Sequence, residues 1–262
     1  MILQQIINYL EEVAPRHLQE SYDNAGLIYG DRAKEISGAI ISLDCTEDVV
    51  DEAIAAGYDL IISHHPIVFS GIKQFDLNNY VHRVVVKAIQ NDIAIYAIHT
   101  NLDNVLENGV NQKIAQKLGL VNLEILRKKS EDSNEIGAGV IGNLQVSHSE
   151  EDFLKHIKTS MNLQVMKHTT LLGGSVRRIA VCGGSGGFLL KDAIAQKADF
   201  FITADYKYHE FFDANAKVVI ADIGHYESEY FTIELLFELL TQKFPKFAAR
   251  CTKVVTNPIF YY

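Results

Sequence analysis

The arrangement of apolar residues constrains the fold of this chain most, because short β-branched runs alternate with longer segments of helical periodicity. The apolar runs cover residues 36–43, 58–62, 93–98, 177–181, 199–202 and 217–220. Helical periodicity covers residues 47–56, 80–91, 109–118, 188–197 and 227–240. This alternation predicts an α/β fold, in which helices cover both faces of mostly parallel sheets.

A polar segment near the middle of the chain indicates a boundary between two halves. Residues 127–134, RKKSEDSN, have no apolar periodicity and are expected to form an exposed loop. The predicted units are therefore a first α/β half, residues 1–126, and a second α/β half, residues 127–262. Two further apolar segments, 139–146 and 163–167, are candidate strands of the second sheet.

Charge and cysteine content exclude several classes of protein. Acidic residues outnumber basic residues by 33 to 24, which gives a net charge of −9 and makes direct binding of nucleic acid unexpected. The three cysteines are far apart in the sequence, as expected for small core residues in a reducing compartment. No apolar stretch approaches the roughly 20 residues of a transmembrane helix, so we expect a cytoplasmic protein. The N-terminal residues 2–10 predict an amphipathic surface helix that offers an apolar face for self-association.

Imidazoles and carboxylates follow four of the predicted strands, at the edge where parallel sheets bind ligands. The segment 58–62 is followed by His64 and His65, and the segment 93–98 by His99 and Asp103. His209 comes soon after the segment 199–202, and His225 follows the segment 217–220. The sequence therefore places several metal-binding side chains at strand ends.

The spacing of these residues predicts a site for two metal ions. His225 and Glu229 stand four residues apart at the start of a helix and face the same way. His64 and His65 leave a strand in different directions, which favours a separate ion for each. Imidazole and carboxylate ligands favour divalent Zn, Mn or Fe, and one carboxylate can bridge two ions. Asp103 and Glu229, taken singly, could equally cap or complement a helix, so the interpretation rests on the set.

Two glycine-rich stretches have different contexts. Residues 137–142 match the string GxGxxG, but they lead into a strand pattern, so no dinucleotide site is predicted. Gly183, Gly184, Ser185 and Gly186 follow a strand and precede a helical pattern. Their N–H groups are predicted either to bind a phosphate or another anion, or to form a tight turn.

Two histidines outside the ligand set are candidate catalytic residues. His99 and His209 follow strands that end beside the predicted metals, so either could transfer a proton. A structural hydrogen bond is the alternative for both.

Three motifs together resemble the Ngg-interacting-factor-three-like family, whose bacterial members are named GTP cyclohydrolase 1 type 2 homologs. The motifs are SHHP at 63–66, HTNLD at 99–103 and GHYESE at 224–229. The stretches at 20–27, 183–186 and 257–258 extend the resemblance over nearly the whole chain. It implies a dinuclear centre with ligands at His64, His65, Asp103, His225 and Glu229. It also implies two similar α/β/α halves, a metal site at strand C-terminal ends between them, and a ring-shaped homohexamer.

This sequence departs from the family pattern at two places. Tyr22 stands where the family usually has Trp. Residues 206–209 read YKYH where members often carry an acidic or an Ile-Lys-His-His pattern. Both changes leave the ligand set intact, but they lie where a substrate pocket is expected.

Two classes of function fit these observations. The first is a dinuclear metal-dependent hydrolase of a nucleotide-like small molecule, either GTP cyclohydrolase 1 type 2-like or a phosphoesterase. The second is a non-enzymatic metal-binding or metal-delivery protein that forms a ring-shaped assembly. An open metal position together with proton-transfer groups would favour the hydrolase.

Overall fold

The computed structural model describes the whole chain, from Met1 to Tyr262, and divides it into two compact units. The first unit contains Met1–Leu102 and Thr232–Pro258. The second contains Asp103–Phe231 and Ile259–Tyr262. Strands and helices are numbered along the chain.

The first unit is built on a five-stranded sheet in which parallel strands form the centre. Its strands are β1 (Gly26–Tyr29), β2 (Gly38–Ser42), β3 (Leu60–Ser63), β4 (Ala94–Ala97) and β11 (Ala248–Cys251). The order is β1-β4-β3-β2-β11, and only β1 is antiparallel to its neighbour. Every residue of β2, β3 and β4 is buried, as predicted for strands covered on both faces.

Helices of the first unit begin and end close to the predicted positions. They are α1 (Leu3–Val13), α2 (Glu47–Ala56), α3 (Tyr80–Gln90) and most of α9 (Phe231–Lys243), with a 3₁₀ helix at Arg16–Leu18. A short helix, α4 (Thr100–Asp103), ends at the first residue of the second unit. Helix α2 has the predicted bounds because the Thr46 side chain caps its first turn and Gly57, with φ +67°, ends it.

The second unit is built on a six-stranded mixed sheet. Its strands are β5 (Leu120–Lys128), β6 (Gly137–Ser149), β7 (Lys167–His168), β8 (Ser175–Ser185), β9 (Phe200–Ala204) and β10 (Val219–Asp222). The order is β5-β6-β8-β9-β10-β7, with β8, β9 and β10 parallel and the other pairs antiparallel. Its helices are α5 (Val110–Lys117), α6 (Glu150–Ser160), α7 (Leu190–Ala195) and α8 (His225–Glu229), with 3₁₀ helices at Gly187–Leu189 and Tyr208–Ala214. Parallel strands at the centre of both sheets confirm the predicted α/β class.

The boundary between the units differs from the predicted division at 126/127. Strand β5 pairs with β6 through a hairpin, so residues on both sides of the polar loop belong to one sheet. A loop this short can join antiparallel strands but not parallel ones. The segment Thr232–Pro258 returns to the first unit because β11 pairs with β2.

The glycine-rich stretches also take definite positions in the second sheet. Residues 137–142 open the long strand β6, which contains the predicted strand at 139–146. Residues 183–185 continue β8 past its predicted end, and the register with β9 shifts between Val181 and Ser185. This stretch is therefore a bulged strand end followed by a short 3₁₀ helix. None of the helices has both the length and the apolar character needed to cross a bilayer.

Candidate metal-binding residues

His64 and His65 continue directly from strand β3 in the first unit and remain bonded to the neighbouring strand. The backbone N–H of His64 donates to the carbonyl of Ser42 at 3.2 Å, and that of His65 donates to the carbonyl of Leu43 at 2.9 Å. His64 is fully buried. The two histidines therefore lie at the end of a strand, as the sequence predicts.

His99 joins these two histidines in the first unit. It follows β4, and its ring lies 5.3 Å from the ring centroids of both His64 and His65, which are themselves 5.0 Å apart. One ring nitrogen of each of the three residues lies within 4.8 Å of the others. The three imidazoles of the first unit thus form a nearly equilateral group, in which His99 joins two of the predicted ligands. Such a group suits the binding of a cation.

Each imidazole in this group is bonded at Nδ1 to a protein oxygen. The Nδ1 of His64 lies 2.8 Å from the carbonyl of Ile98, and the Nδ1 of His65 lies 2.8 Å from Oδ1 of Asp44. The Nδ1 of His99 lies 2.8 Å from Oδ1 of Asp23, whose side chain is fully buried. Burial opposes ionisation of Asp23, but hydrogen bonds from His99 and Thr100 outweigh it and lower the pKa of the carboxyl group to about 2.

In the second unit, His225 and Glu229 form a contact within one helical turn. Their spacing places Nε2 of His225 3.0 Å from Oε2 of Glu229, which confirms that the two side chains face the same way. The Nδ1 of His225 lies 2.7 Å from Oδ2 of Asp205. Burial would lower the pKa of His225, yet the two carboxylates raise it to about 11. The imidazole therefore occupies a place where negative charge favours a cation.

Asp103 lies near Glu229 in the second unit, with a carboxylate oxygen of each within 4.8 Å of the other. Burial raises the pKa of the Cys182 thiol, and the negative charges of Asp103 and Glu229 raise it further. A thiol held in its neutral form is neither a good nucleophile nor a good metal ligand. The backbone carbonyl of Asp103 accepts a hydrogen bond from Asn111 at 3.0 Å, which fixes the end of α4.

The glycine stretch donates most of its N–H groups to side chains of the same unit. Gly183 donates to Oδ1 of Asn111, Gly184 to Oγ of Ser228, and each N···O distance is 2.9 Å. Gly186 donates to Oγ1 of Thr203 at the same distance. These bonds compete with anion binding, so anion contact at residues 183–186 stays a prediction.

Gly184 also approaches the predicted ligands closely. It has a φ of +58°, which L side chains rarely adopt. A Cβ atom there would clash with Oε1 of Glu229 and lie 3.2 Å from Cε1 of His225. A glycine at this position therefore leaves room for the side chains of His225 and Glu229 on α8.

His209 is not part of the contact between His225 and Glu229 in the second unit. It is exposed on the 3₁₀ helix Tyr208–Ala214, and its ring packs against Tyr208 and Phe212. It makes no hydrogen bond to His225 or Glu229. A catalytic role for His209 thus stays a prediction, whereas His99 lies within an imidazole cluster.

The carboxylates that hold the histidines had no predicted role. Asp44 comes two residues after β2, and Asp205 follows β9 directly, so the rule that polar residues at strand ends form the site points to both. Asp23 belongs to no strand end and lies 76 residues from its histidine partner. Only the folded chain reveals that pair.

The donor set is consistent in chemistry with a divalent ion. The candidate ligand atoms in the two units are imidazole nitrogens and carboxylate oxygens, and no thiolate is among these ligand atoms. Such ligands suit Zn²⁺, Mn²⁺ and Fe²⁺.

Comparison with known proteins agrees with the motifs. The model of the Duf34/NIF3 (NGG1p interacting factor 3) family matches residues 1–258. A Clostridium perfringens protein named GTP cyclohydrolase 1 type 2 homolog is 36% identical over 231 residues, which cover 88% of this chain and 87% of that protein. The crystal structure of a Staphylococcus aureus hypothetical protein matches with a TM-score of 0.91 and 30% identity, and covers 100% of this chain and 99% of that one. A Bacillus cereus protein related to NIF3 matches with a TM-score of 0.91 and 25% identity, over the same shares of the two chains. The chain therefore belongs to the Duf34/NIF3 (NGG1p interacting factor 3) family.

Proposed function

We propose that this protein is a metal-dependent hydrolase that holds two divalent cations, Zn, Mn or Fe, and acts on a nucleotide-like small molecule. The proposed ligands are His64, His65, Asp103, His225 and Glu229. One observation carries the proposal: imidazole nitrogens within 4.8 Å of one another gather in the first unit, and an imidazole bonded to carboxylates occurs in the second. Both arrangements combine donor types that divalent transition metals prefer.

The bound ions would lower the pKa of a water molecule and polarise the electrophile that it attacks. The chain supplies the proton transfer. His99 is suited to this role because Asp23 holds its Nδ1 at 2.8 Å, which orients the ring and leaves Nε2 for exchange of a proton. His209 is the second candidate, since it follows β9 and its ring is accessible.

The substrate class is proposed from the relatives. Several of them are named GTP cyclohydrolase 1 type 2 homologs, which suggests a purine nucleotide, and a phosphate ester fits the same metal chemistry. The net charge of −9 disfavours a nucleic acid as the direct substrate. Anion contact at Gly183, Gly184, Ser185 and Gly186 is part of this proposal.

Metal content is the first test. Elemental analysis of the untagged protein should find about two transition-metal ions per chain. Glu229→Gln keeps the size of the side chain but removes its charge, and should lower the metal content. Glu227→Gln, two residues away on the same helix, is the matched control. A Glu229→Gln variant that retains two ions at wild-type affinity would remove Glu229 from the ligand set.

The second test is a panel of nucleotides and phosphodiesters, assayed with Mn²⁺ or Zn²⁺ and again after chelation. We expect hydrolysis that chelation abolishes. His99→Ala or His209→Ala should lower turnover by about 10²- to 10⁴-fold without loss of ions if that residue transfers the proton. Cys182→Ser should retain most activity, because the Cys182 thiol is held neutral.

Activity that survives chelation would move the chemistry away from the metals. Absence of hydrolysis across the whole panel, with two ions bound, would favour the alternative function. That alternative is a non-enzymatic protein that binds or delivers metal and forms a ring-shaped assembly.

A further inference from the structure

Three aspartates each bind the Nδ1 atom of a different histidine. Asp44 contacts His65, and Asp23 contacts His99, both at 2.8 Å in the first unit. In the second unit, Asp205 contacts His225 at 2.7 Å. The fourth histidine of this group, His64, has the carbonyl of Ile98 in the same position. A protein oxygen therefore lies at Nδ1 of all four imidazoles.

In the first unit, these contacts select one tautomer of each neutral ring, whereas His225 has a carboxylate at both ring nitrogens. A carbonyl or an ionised carboxylate can only accept a hydrogen bond, so Nδ1 must carry the hydrogen and donate it. The lone pair of a neutral imidazole then lies on Nε2. This is the form that presents Nε2 to a cation or to an exchanging proton.

Asp44 and Asp23 are themselves held in place, which is expected of a group that orients another. The hydroxyl of Thr256 donates to Oδ2 of Asp44 at 2.6 Å, while Oδ1 of Asp44 accepts from His65. Asp23 accepts from the backbone N–H of Thr100 at 3.1 Å and from the Thr100 hydroxyl group.

Asp205 differs from the other two aspartates, because its side chain is 47% exposed. It directly follows β9 and has a φ of +59°, a conformation that Asp adopts more readily than most residues. Asp23 and Asp44 have hydrogen-bond partners besides their histidines, and these partners limit rotation of the carboxylates.

We propose that Asp23 and Asp44 are positioning residues that fix the Nδ1–H tautomer and the ring orientation of His99 and His65. Through Asp44, the segment that ends at Thr256 contributes to the state of His65, although the two residues are distant in sequence. The effect on metal binding rests on the proposed function, whereas the effect on the tautomer does not. Carboxylates that hold ligand histidines typically change metal affinity by about 10- to 100-fold.

The tautomer test uses the metal-free full chain. Side-chain ¹⁵N spectra at a pH well above the ordinary imidazole pKa should show His65 and His99 as Nδ1–H tautomers. Asp44→Ala should shift His65 toward the Nε2–H form, which predominates in free histidine, and leave His99 unchanged. Asp23→Ala should do the converse. Thr256→Val should move His65 in the same direction as Asp44→Ala by a smaller amount.

The metal test is a chelator competition with Zn²⁺. Asp44→Ala should weaken binding by about 10- to 100-fold, and should cause no further loss in a His65→Ala background, since it acts through His65. Asp59→Ala is the matched control, because Asp59 accepts bonds from the backbone and hydroxyl of Ser37 and contacts no imidazole. Asp44→Asn retains an acceptor oxygen, and supplies the measurement if Asp44→Ala unfolds.

Two outcomes would overturn the proposal: an Nε2–H tautomer at His65 or His99 in the unmodified chain, or an equal loss of affinity from Asp44→Ala with and without His65. A wild-type chain that shows the Nδ1–H tautomers yet binds no ion would support the positioning role and contradict the proposed function.

Discussion

Single residues around Glu229 illustrate how little space separates the candidate ligands from the backbone of the second unit. The N–H of Gly184 donates to Ser228, next to Glu229, and the φ of Gly184 is +58°. A ligand carboxylate that packs against a glycine can be displaced by a single methyl group. Backbone conformation at this position is therefore coupled to the geometry of the ligands.

We expect Gly184→Ala to destabilise the native state by about 1–3 kcal/mol, because a left-handed backbone conformation and a clash with Glu229 add together. The variant should also bind Zn²⁺ more weakly. Urea unfolding and chelator competition measure the two effects. Gly174→Ala is the control, since a Cβ atom there meets no atom within 4 Å and the backbone is not left-handed. Equal behaviour of both variants would argue against the role of Gly184.

The carboxylate of Asp23 predicts a specific pH dependence of stability. Its native pKa of about 2 lies below the ordinary value of 3.8, so the ionised form favours the native state. This contribution is fully present above pH 3.8 and is lost as the pH falls toward 2. The difference in unfolding free energy between wild type and Asp23→Asn should therefore shrink as the pH falls from neutral to about 3. A difference that stays constant over this range would contradict the assignment.

At the level of elements, one partly buried carboxylate links helix α2 to the segment in which the chain returns to the first sheet, residues 248–256. Glu52 on α2 accepts hydrogen bonds from Arg250 at 3.2 Å and from the N–H of Lys253 at 3.1 Å, and it also bonds to the hydroxyl of Thr252. Its side chain is 11% exposed. This carboxylate links the end of β11, and the residues that lead toward Thr256, to helix α2.

Glu52→Ala should therefore loosen the segment 248–256 and destabilise the native state by about 1–3 kcal/mol, because three donors lose the charged acceptor that they share. Hydrogen exchange should speed up in that segment more than in β3 or β4. Glu47→Ala on the same helix is the control, since its ion pair with Arg83 is exposed and such pairs contribute about 0–1 kcal/mol. Unchanged exchange in residues 248–256 would show that pairing of β11 with β2 suffices.

For the whole molecule, self-association remains the main prediction, but the apolar surface available for it is not the one expected from the sequence. The apolar residues of α1 are almost completely buried within the chain, so that face is not available for a partner subunit. Large apolar side chains are exposed elsewhere, among them Tyr80, Tyr208 and Phe212. Exposed aromatic residues are enriched at protein interfaces.

We expect the purified protein to form an oligomer larger than a dimer, with a ring-shaped hexamer as the form that the family resemblance implies. Light scattering should then give a mass several times that of the 29.3 kDa chain. Dilution through the micromolar range checks that the assembly is stable. A monomer at micromolar concentration would contradict this expectation.

Local pattern was sufficient for the central strands and for most helices. Helix α2 has the predicted bounds, β2 and β4 lie within the predicted runs, and β3 ends one residue beyond its run, because periodicity and caps act over a few residues. The edge strands β1 and β11 were not predicted, since edge strands are short and only partly buried. The predicted helix at 227–240 is divided at Tyr230 into α8 and α9.

The candidate site was likewise predictable from the sequence only in part. Residue type and spacing identify the histidines and carboxylates at strand ends, because the carboxyl ends of parallel strands and the turn of a helix follow from the order of residues alone. The partners of those histidines depend on contacts between distant parts of the chain, such as Asp23 with His99 and Thr256 with Asp44. The use of the glycine N–H groups by Asn111 and Ser228 is equally non-local. Hydrogen bonds of this kind form only after the sheets bring distant segments together, and no local sequence pattern encodes which donor meets which acceptor.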